Sequence, residues 1–108
     1  MLEKIQSTTI ANGATKSAEL RTGYRTSVVA LVTPAALTGT AFTFEGSLDG
    51  STFVPVYNEA TLYSVNVGTS RYVALNAAVF QGLQSIKVVS GSSEAAERTI
   101  QVVLKEIQ

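Results

Sequence analysis

A stretch of strict alternation constrains the fold more than any other part of the sequence. Along Thr40–Leu48, every second residue is apolar or glycine, as on a β-strand with one buried face. The residues that share this face are Phe42, Phe44, Gly46 and Leu48. The Asp49-Gly50 pair that follows supplies the positive φ angles of a tight hairpin, so the chain is expected to turn back on itself here.

Short strands separated by turn residues are predicted along the rest of the chain. The predicted strands are Ser27–Val32, Thr40–Leu48, Thr52–Tyr57, Tyr63–Val67, Arg71–Leu75, Gln84–Ser90 and Arg98–Lys105. Pro55 cannot donate to a strand ladder, which predicts that its strand lies at an edge or carries a bulge. Asn76 is a good N-cap for a helical turn over Ala77–Gln81.

The C-terminal segment has two interpretations. Ile100, Val103, Leu104 and Ile107 lie at helical spacing, but the β-branched run Thr99–Val103 favours a helical turn over Glu94–Glu97 followed by the strand Arg98–Lys105.

These elements predict an all-β fold, an antiparallel β-sandwich or jelly roll of about seven to eight short strands with one short helical turn. The domain prediction is a single β-sandwich over residues 19–108. Residues 1–18 are mostly polar, and they are expected to form either an N-terminal arm or an edge strand.

The composition excludes most catalytic chemistry. With no His and no Cys, the chain has no Ser-His-Asp triad, thiol nucleophile, haem ligand or zinc-finger ligand set. Asp49 is the single aspartate, and its position before Gly50 is explained by turn chemistry. Carboxylates of Glu45, Glu59 and Asp49 could cluster around a Ca²⁺ ion, but their spacing is not diagnostic. We therefore expect no enzyme activity, no metal and no cofactor.

The charge balance bears on partners and on location. Eight basic and eight acidic residues give a formal net charge of zero, so no global field attracts nucleic acid or an anionic membrane. Charged residues make up only 15% of the chain, against roughly 25% in an average soluble domain. Such a surface is either covered by Ser and Thr or buried against neighbours. No apolar run approaches the length of a membrane span, so the chain is expected to be soluble and made in the cytoplasm.

One pair of arginines and one set of aromatic residues are interpreted as structural. Arg71 and Arg98 each begin a strand, and they are expected to hold loops to carboxylates such as Asp49, Glu94 or Glu97. Six aromatic residues are typical of core or interface anchors, although exposed rings could also stack on sugars. These residues are Tyr24, Phe53, Tyr57, Tyr63, Tyr72 and Phe80.

Three segments resemble known protein groups. The run Glu45–Tyr57 resembles the Ser-x-Asp-Gly-x-x-aromatic hairpin of small all-β virion proteins of tailed bacteriophages and, more distantly, of discoidin-like (galactose-binding-like) sandwiches. Ser70–Gly82 is similar to the phage proteins' Arg-Tyr-x-x-Leu stretch followed by a short helical Val-Phe-x-Gly, and Ile86–Gly91 resembles one of their closing strands. Discoidin domains usually have Trp where Phe53 stands and usually a disulfide, and this chain has neither.

The phage resemblance implies a structural role as a capsid decoration or cement protein. It implies that the partners are the major capsid protein of a phage and further copies of this chain, as a trimer or another homo-oligomer. The implied location is the capsid surface of the virion, after synthesis in the host cytoplasm. The alternative is a carbohydrate-binding module on a phage head or tail surface. The candidate interface residues are Leu2, Ile5, Tyr24, Arg25, Leu37, Tyr57, Leu62 and Tyr63.

Overall fold

The computed structural model describes the backbone of residues 3–106 and the side chains of residues 4–106. Within that range the protein is all-β, and a single 3₁₀ turn at Ala77–Phe80 is its helical element. The strands in chain order are β1 (Glu3–Ile10), β2 (Leu20–Arg21), β3 (Thr26–Val32), β4 (Ala41–Ser47), β5 (Val54–Pro55), β6 (Tyr57–Asn58), β7 (Thr61–Leu62), β8 (Ser64–Asn66), β9 (Tyr72–Ala74), β10 (Ser85–Ser90) and β11 (Arg98–Glu106).

The strands form two antiparallel sheets and a small hairpin. The four-stranded sheet has the order β1-β11-β3-β9, and the five-stranded sheet has the order β2-β10-β4-β5 with β8 also paired to β4. Strands β6 and β7 pair with each other as the hairpin. The predicted all-β antiparallel sandwich is therefore confirmed. The described residues form eleven strands, because the predicted strand Thr52–Tyr57 is divided into β5 and β6, and β1, β2 and β7 are added.

One apolar core lies between the inner faces of the two sheets. Its fully buried members are Ile10, Val28, Leu31, Phe42, Phe44, Phe80, Ile86, Val88, Ile100, Val102 and Leu104. Phe42 and Phe44 lie on the inner face of β4, as the alternation predicts. The prediction for Leu48 is wrong: its side chain is 66% exposed, because β4 ends at Ser47 and the chain turns away.

The two helical predictions have opposite outcomes. The turn after Asn76 is confirmed, since the Asn76 side chain accepts a hydrogen bond from the Ala78 N–H at 3.2 Å. The turn predicted over Glu94–Glu97 is wrong, because this segment is an irregular loop. The buried Glu94 carboxylate accepts hydrogen bonds from distant loops, and those contacts replace a local helical turn.

The strands at the sheet edges determine which backbone groups face outward. β1 pairs along its whole length with β11 and forms one edge of the four-stranded sheet. Pro55 lies in β5 at the edge of the five-stranded sheet, as predicted for a residue without an N–H. Residues 3–10 therefore belong to the sandwich as an edge strand.

Candidate interaction surfaces

The Asp49 turn is held by hydrogen bonds within the turn itself. Asp49 Oδ1 accepts from the N–H groups of Ser51 at 2.8 Å and Thr52 at 3.0 Å, and from the Ser47 hydroxyl at 2.9 Å. The Thr52 N–H, followed by the Ser51 N–H and the Ser47 hydroxyl, lowers the pKa of the Asp49 carboxyl. Gly50 has a φ of 81°, which explains the glycine. The connection spans residues 48–53, so it is longer than the tight hairpin expected from Asp49-Gly50.

The buried carboxylate of Glu94 accepts hydrogen bonds from groups in three segments of the chain. Its Oε1 accepts from the Thr38 N–H at 2.8 Å and from Arg98 Nε at 2.9 Å. Its Oε2 accepts from the Gly39 N–H at 2.9 Å and from the Ser90 hydroxyl at 2.7 Å. The carboxylate therefore joins the loop before β4, the end of β10 and the start of β11, and so connects the two sheets.

The hydrogen bonds to Glu94 lower the pKa of its carboxyl by more than burial raises it. Burial raises the pKa of this carboxyl, but the Thr38 N–H, the Ser90 hydroxyl, the Gly39 N–H and Arg98 together lower it to about 2. The predicted contact between Arg98 and Glu94 is confirmed. The cluster is a structural element, because its four donors hold the loop before β4, the end of β10 and the start of β11 together.

The five-stranded sheet has a charged outer face. The Lys16 ammonium lies 2.8 Å from Glu45 on β4, and Lys87 on β10 lies 4.5 Å from the centre of the Phe53 ring. The Glu19 carboxylate accepts from the Ser85 hydroxyl at 2.6 Å. Within residues 3–106, no three metal-ligating side chains lie together, and Glu45 is paired with Lys16.

The outer face of the four-stranded sheet carries no charged side chain over its central rows. The strand register places Ile5, Val103, Ala30 and Ala74 side by side in one row, and Ser7, Gln101, Val32 and Tyr72 in the next. Thr9 and Thr99 continue the face toward one end. We call these ten residues the uncharged face. Its two margins are formed by Ile5 and Tyr72, each 66% exposed, whereas Val103 and Ala30 between them are 6% and 0% exposed. One row beyond Val103, the exposed Lys105 on β11 marks where the uncharged face ends.

The predicted interface residues are spread over several elements. Ile5 lies on the uncharged face, and Tyr57 and Leu62 face each other across the β6–β7 hairpin. Tyr24 is exposed, and its hydroxyl donates to the Leu48 carbonyl. Arg25 is exposed next to it, whereas Leu37 is half-buried against the core. Leu2 lies outside the described residues.

The aromatic residues do not form one platform. Tyr63 is half-buried, with its ring centre 5.9 Å from that of Phe44 and 5.8 Å from that of Phe80. Its hydroxyl accepts a hydrogen bond from the Asn76 N–H at 2.9 Å, so this tyrosine anchors the 3₁₀ turn. The exposed rings of Tyr24, Tyr57 and Tyr72 lie on three separate segments. A stacking site for a sugar would need such rings on one surface.

An apolar groove lies where the inner face of the five-stranded sheet continues past the core. Leu48, Val54 and Leu83 line it beside Gly46, and its volume is about 250 Å³. Leu83 covers Gly46 so closely that a Cβ at residue 46 would lie 2.7 Å from it. This explains the glycine in β4.

Sequence reasoning named Ile5 as a candidate interface residue and Tyr72 among the aromatic anchors, and it missed Ser7, Gln101 and the rest of the uncharged face. Each strand shows its own uncharged outward positions, for example Gln101 between the buried Ile100 and Val102. That signal could have been read strand by strand. The lateral register that assembles the positions into one face is non-local, and it appears only in the folded sheet.

The comparisons with known proteins identify a related fold. The crystal structure of the SPBc2 prophage-derived protein YomS aligns over 96% of this chain and 95% of its own, with a TM-score of 0.56 and 15% sequence identity. A chain from a Bacillus endospore appendage pilus aligns over 99% of this chain and 88% of its own, but with a TM-score of 0.47 and 9% identity it supports no inference. This chain therefore shares a fold with YomS.

No protein-family profile matches the chain, and no curated sequence does either. Across residues 3–106, no helix is long and apolar enough to cross a membrane.

Proposed function

We propose that this chain is a structural protein of a tailed-bacteriophage virion, a decoration or cement protein that binds the lattice of the major capsid protein. Its fold, shared with a prophage-derived protein, supports the phage context. In this proposal the chain catalyses no reaction, binds neither nucleic acid nor a membrane, and is located on the capsid surface.

The uncharged face is the observation that carries the proposal. A sheet face exposed only to water usually carries charged side chains, because they hydrate well and discourage association. Here ten positions on the outer side carry none; Ala30 and Val103 among them are buried, and Ile5 and Tyr72 keep large apolar surfaces exposed at the margins. A flat, polar but uncharged surface with apolar margins fits a protein partner, because little charge must be desolvated on contact.

The size of this face favours a repeating partner. Four strands spaced about 4.8 Å apart and about 20 Å long give an area of about 400 Å². A stable one-to-one interface needs about 800 Å² from each partner, so one copy should bind weakly. On a capsid lattice, linked copies bind together, and multivalency converts weak contacts into stable occupancy.

Co-sedimentation with phage heads tests the proposal. Purified protein is mixed with expanded heads of the parent phage that lack it, and the bound fraction is measured at increasing protein concentration. Saturation at a fixed number of copies per capsomer supports a decoration protein. A chain that stays in the supernatant at every concentration would overturn the proposal, and a glycan array would then test the carbohydrate-binding alternative.

Two variants that each add one negative charge test whether the uncharged face is the capsid contact. Gln101→Glu places a carboxylate in the middle of the uncharged face, and Asn66→Glu places one at an exposed position on the outer side of the five-stranded sheet. We expect Gln101→Glu to weaken head binding about tenfold or more, while Asn66→Glu leaves it unchanged. Equal effects of the two variants would exclude the uncharged face as the capsid contact.

A further inference from the structure

One edge of the four-stranded sheet is open over half of its length. β1 is paired on one side with β11. On its other side, the Ala18 N–H donates to the Thr9 carbonyl at 3.0 Å, and the Thr8 hydroxyl donates to the Ala18 carbonyl at 2.7 Å. These contacts close the end of the edge near Ile10. From Glu3 to Ser7, no residue within the described chain pairs with it.

The open half presents free backbone hydrogen-bonding groups. Because the Thr9 carbonyl points outward to Ala18, the alternation along a strand also points the N–H and C=O groups of Ser7, Ile5 and Glu3 outward. The N–H and C=O groups of the residues between them point to β11. An edge of this kind is a template for another strand.

We propose that two copies of this chain associate through β1, with the two strands antiparallel about a twofold axis at Ile5. Ile5 then lies opposite Ile5 of the second copy, and Ser7 lies opposite Glu3 of the second copy. Each such pair exchanges two hydrogen bonds, which gives about six across the junction. The interface is isologous, as is usual for a homodimer.

Charge and the closed end of the edge select this register. An axis at Lys4 would place the two Lys4 side chains directly opposite each other, and like charges in that position are destabilising. An axis at Gln6 would place Glu3 opposite Thr9, whose carbonyl is already bonded to Ala18. With the axis at Ile5, Lys4 faces Gln6 of the second copy, and no like charges of the described side chains are opposed.

In this register the two uncharged faces meet along a single row, because the next row, which ends at Ser7, continues into the row of the second copy that holds Lys105. The row of Ile5, Val103, Ala30 and Ala74 meets its own copy at Ile5, so that one apolar row crosses eight strands. The pairing itself does not depend on capsid binding, and it is tested on the free protein.

Cysteine cross-linking tests the register directly, since the chain contains no cysteine. In Ile5→Cys the two thiols lie across the twofold axis with Cα atoms about 5.5 Å apart, within disulfide range. In the matched control, Ser7→Cys, the two thiols are offset along the strands by about 13 Å, beyond that range. Mild oxidation should convert most of Ile5→Cys, and little of Ser7→Cys, into covalent dimer on a non-reducing gel. Equal cross-linking of both variants would overturn the register.

Sedimentation equilibrium of the full chain tests the association without a disulfide. Ile5→Pro removes an N–H that points away from β11, so it spares the ladder of the sandwich while deleting two bonds of the junction. We expect the dimer dissociation constant to rise about tenfold or more, with Ile5→Val close to the unmodified protein. A monomeric mass for the unmodified protein at all concentrations, together with no cross-linking of Ile5→Cys, would overturn the proposal.

Discussion

The two outer faces of the sandwich differ in charge, although their inner faces share one core. The five-stranded sheet carries the Lys16–Glu45 pair and Lys87 on its outer side, whereas the four-stranded sheet presents the uncharged face, with Lys105 one row beyond it. Folding requires the inner faces to be apolar but places no such demand on either outer face. In the proposed function, contact with the capsid accounts for this difference.

Truncating a buried side chain on the inner face of either sheet should give the largest change in the free energy of unfolding, because both faces belong to one core. Phe44→Ala in the five-stranded sheet should lower the free energy of unfolding by about 3–5 kcal/mol, and Leu104→Ala in the four-stranded sheet by about 2–5 kcal/mol, because each removes a fully buried side chain. Urea unfolding monitored by circular dichroism measures both. A loss below about 1 kcal/mol for either variant would mean that its sheet does not share the core.

The Glu94 cluster joins the two sheets, so acid should weaken that connection. Because the pKa of Glu94 is about 2 in the folded protein and 4.5 as the ordinary value, its stabilisation is complete above pH 4.5 and is lost as the pH falls toward 2. The loss should reach up to about 3 kcal/mol. Urea unfolding at a series of pH values measures it.

Glu94→Gln is the control for this pH dependence. Without an ionisable group at residue 94, the variant should be less stable at neutral pH, and its stability should fall less between pH 4.5 and 2. An identical pH profile in the two proteins would assign the acid sensitivity to other carboxylates.

The ion pair on the charged outer face should contribute little. Lys16 is more than half exposed, so solvent and salt screen its attraction to Glu45. A double-mutant cycle with Lys16→Ala and Glu45→Ala should give a coupling energy of about 0.2–1 kcal/mol that decreases in 1 M salt. A coupling above about 2 kcal/mol would show that the charged face is itself a stabilising element.

The smallest change in the free energy of unfolding is expected when a new charge is placed on either outer face. Gln101→Glu and Asn66→Glu should each change the free energy of unfolding by less than about 0.5 kcal/mol, since both positions are exposed. Thermal and urea unfolding of the two variants check this. A strongly destabilised Gln101→Glu would mean that folding, and not a partner, excludes charge from the uncharged face.

Local patterns in the sequence predicted the local parts of the fold. The inner face of β4 follows from its alternation, and the 3₁₀ turn follows from the Asn76 cap. The prediction that Leu48 is buried was wrong because alternation does not show where a strand ends. The Ser47–Asp49 hydrogen bonds end β4 one residue before Leu48.

The remaining errors arise from contacts between residues distant in sequence. The local pattern at Glu94 predicts a helical turn, because its donors at Thr38 and Gly39 lie more than fifty residues away. Likewise, Tyr63 is a candidate interface residue in the sequence, but its ring packs on Phe44 and Phe80. Among the candidate interface residues, the sequence identified Ile5, and the register was needed to place it beside Val103.

The position of β11 has a consequence for synthesis. This strand, residues 98–106, lies between β1 and β3, so β1 pairs with a segment that is translated long after it. While residues 98–106 are still inside the ribosome, β1 lacks its ladder partner and β3 is uncovered on one side. The sandwich cannot be completed before those residues emerge, and chaperones that shield exposed strands have their main opportunity to act before then.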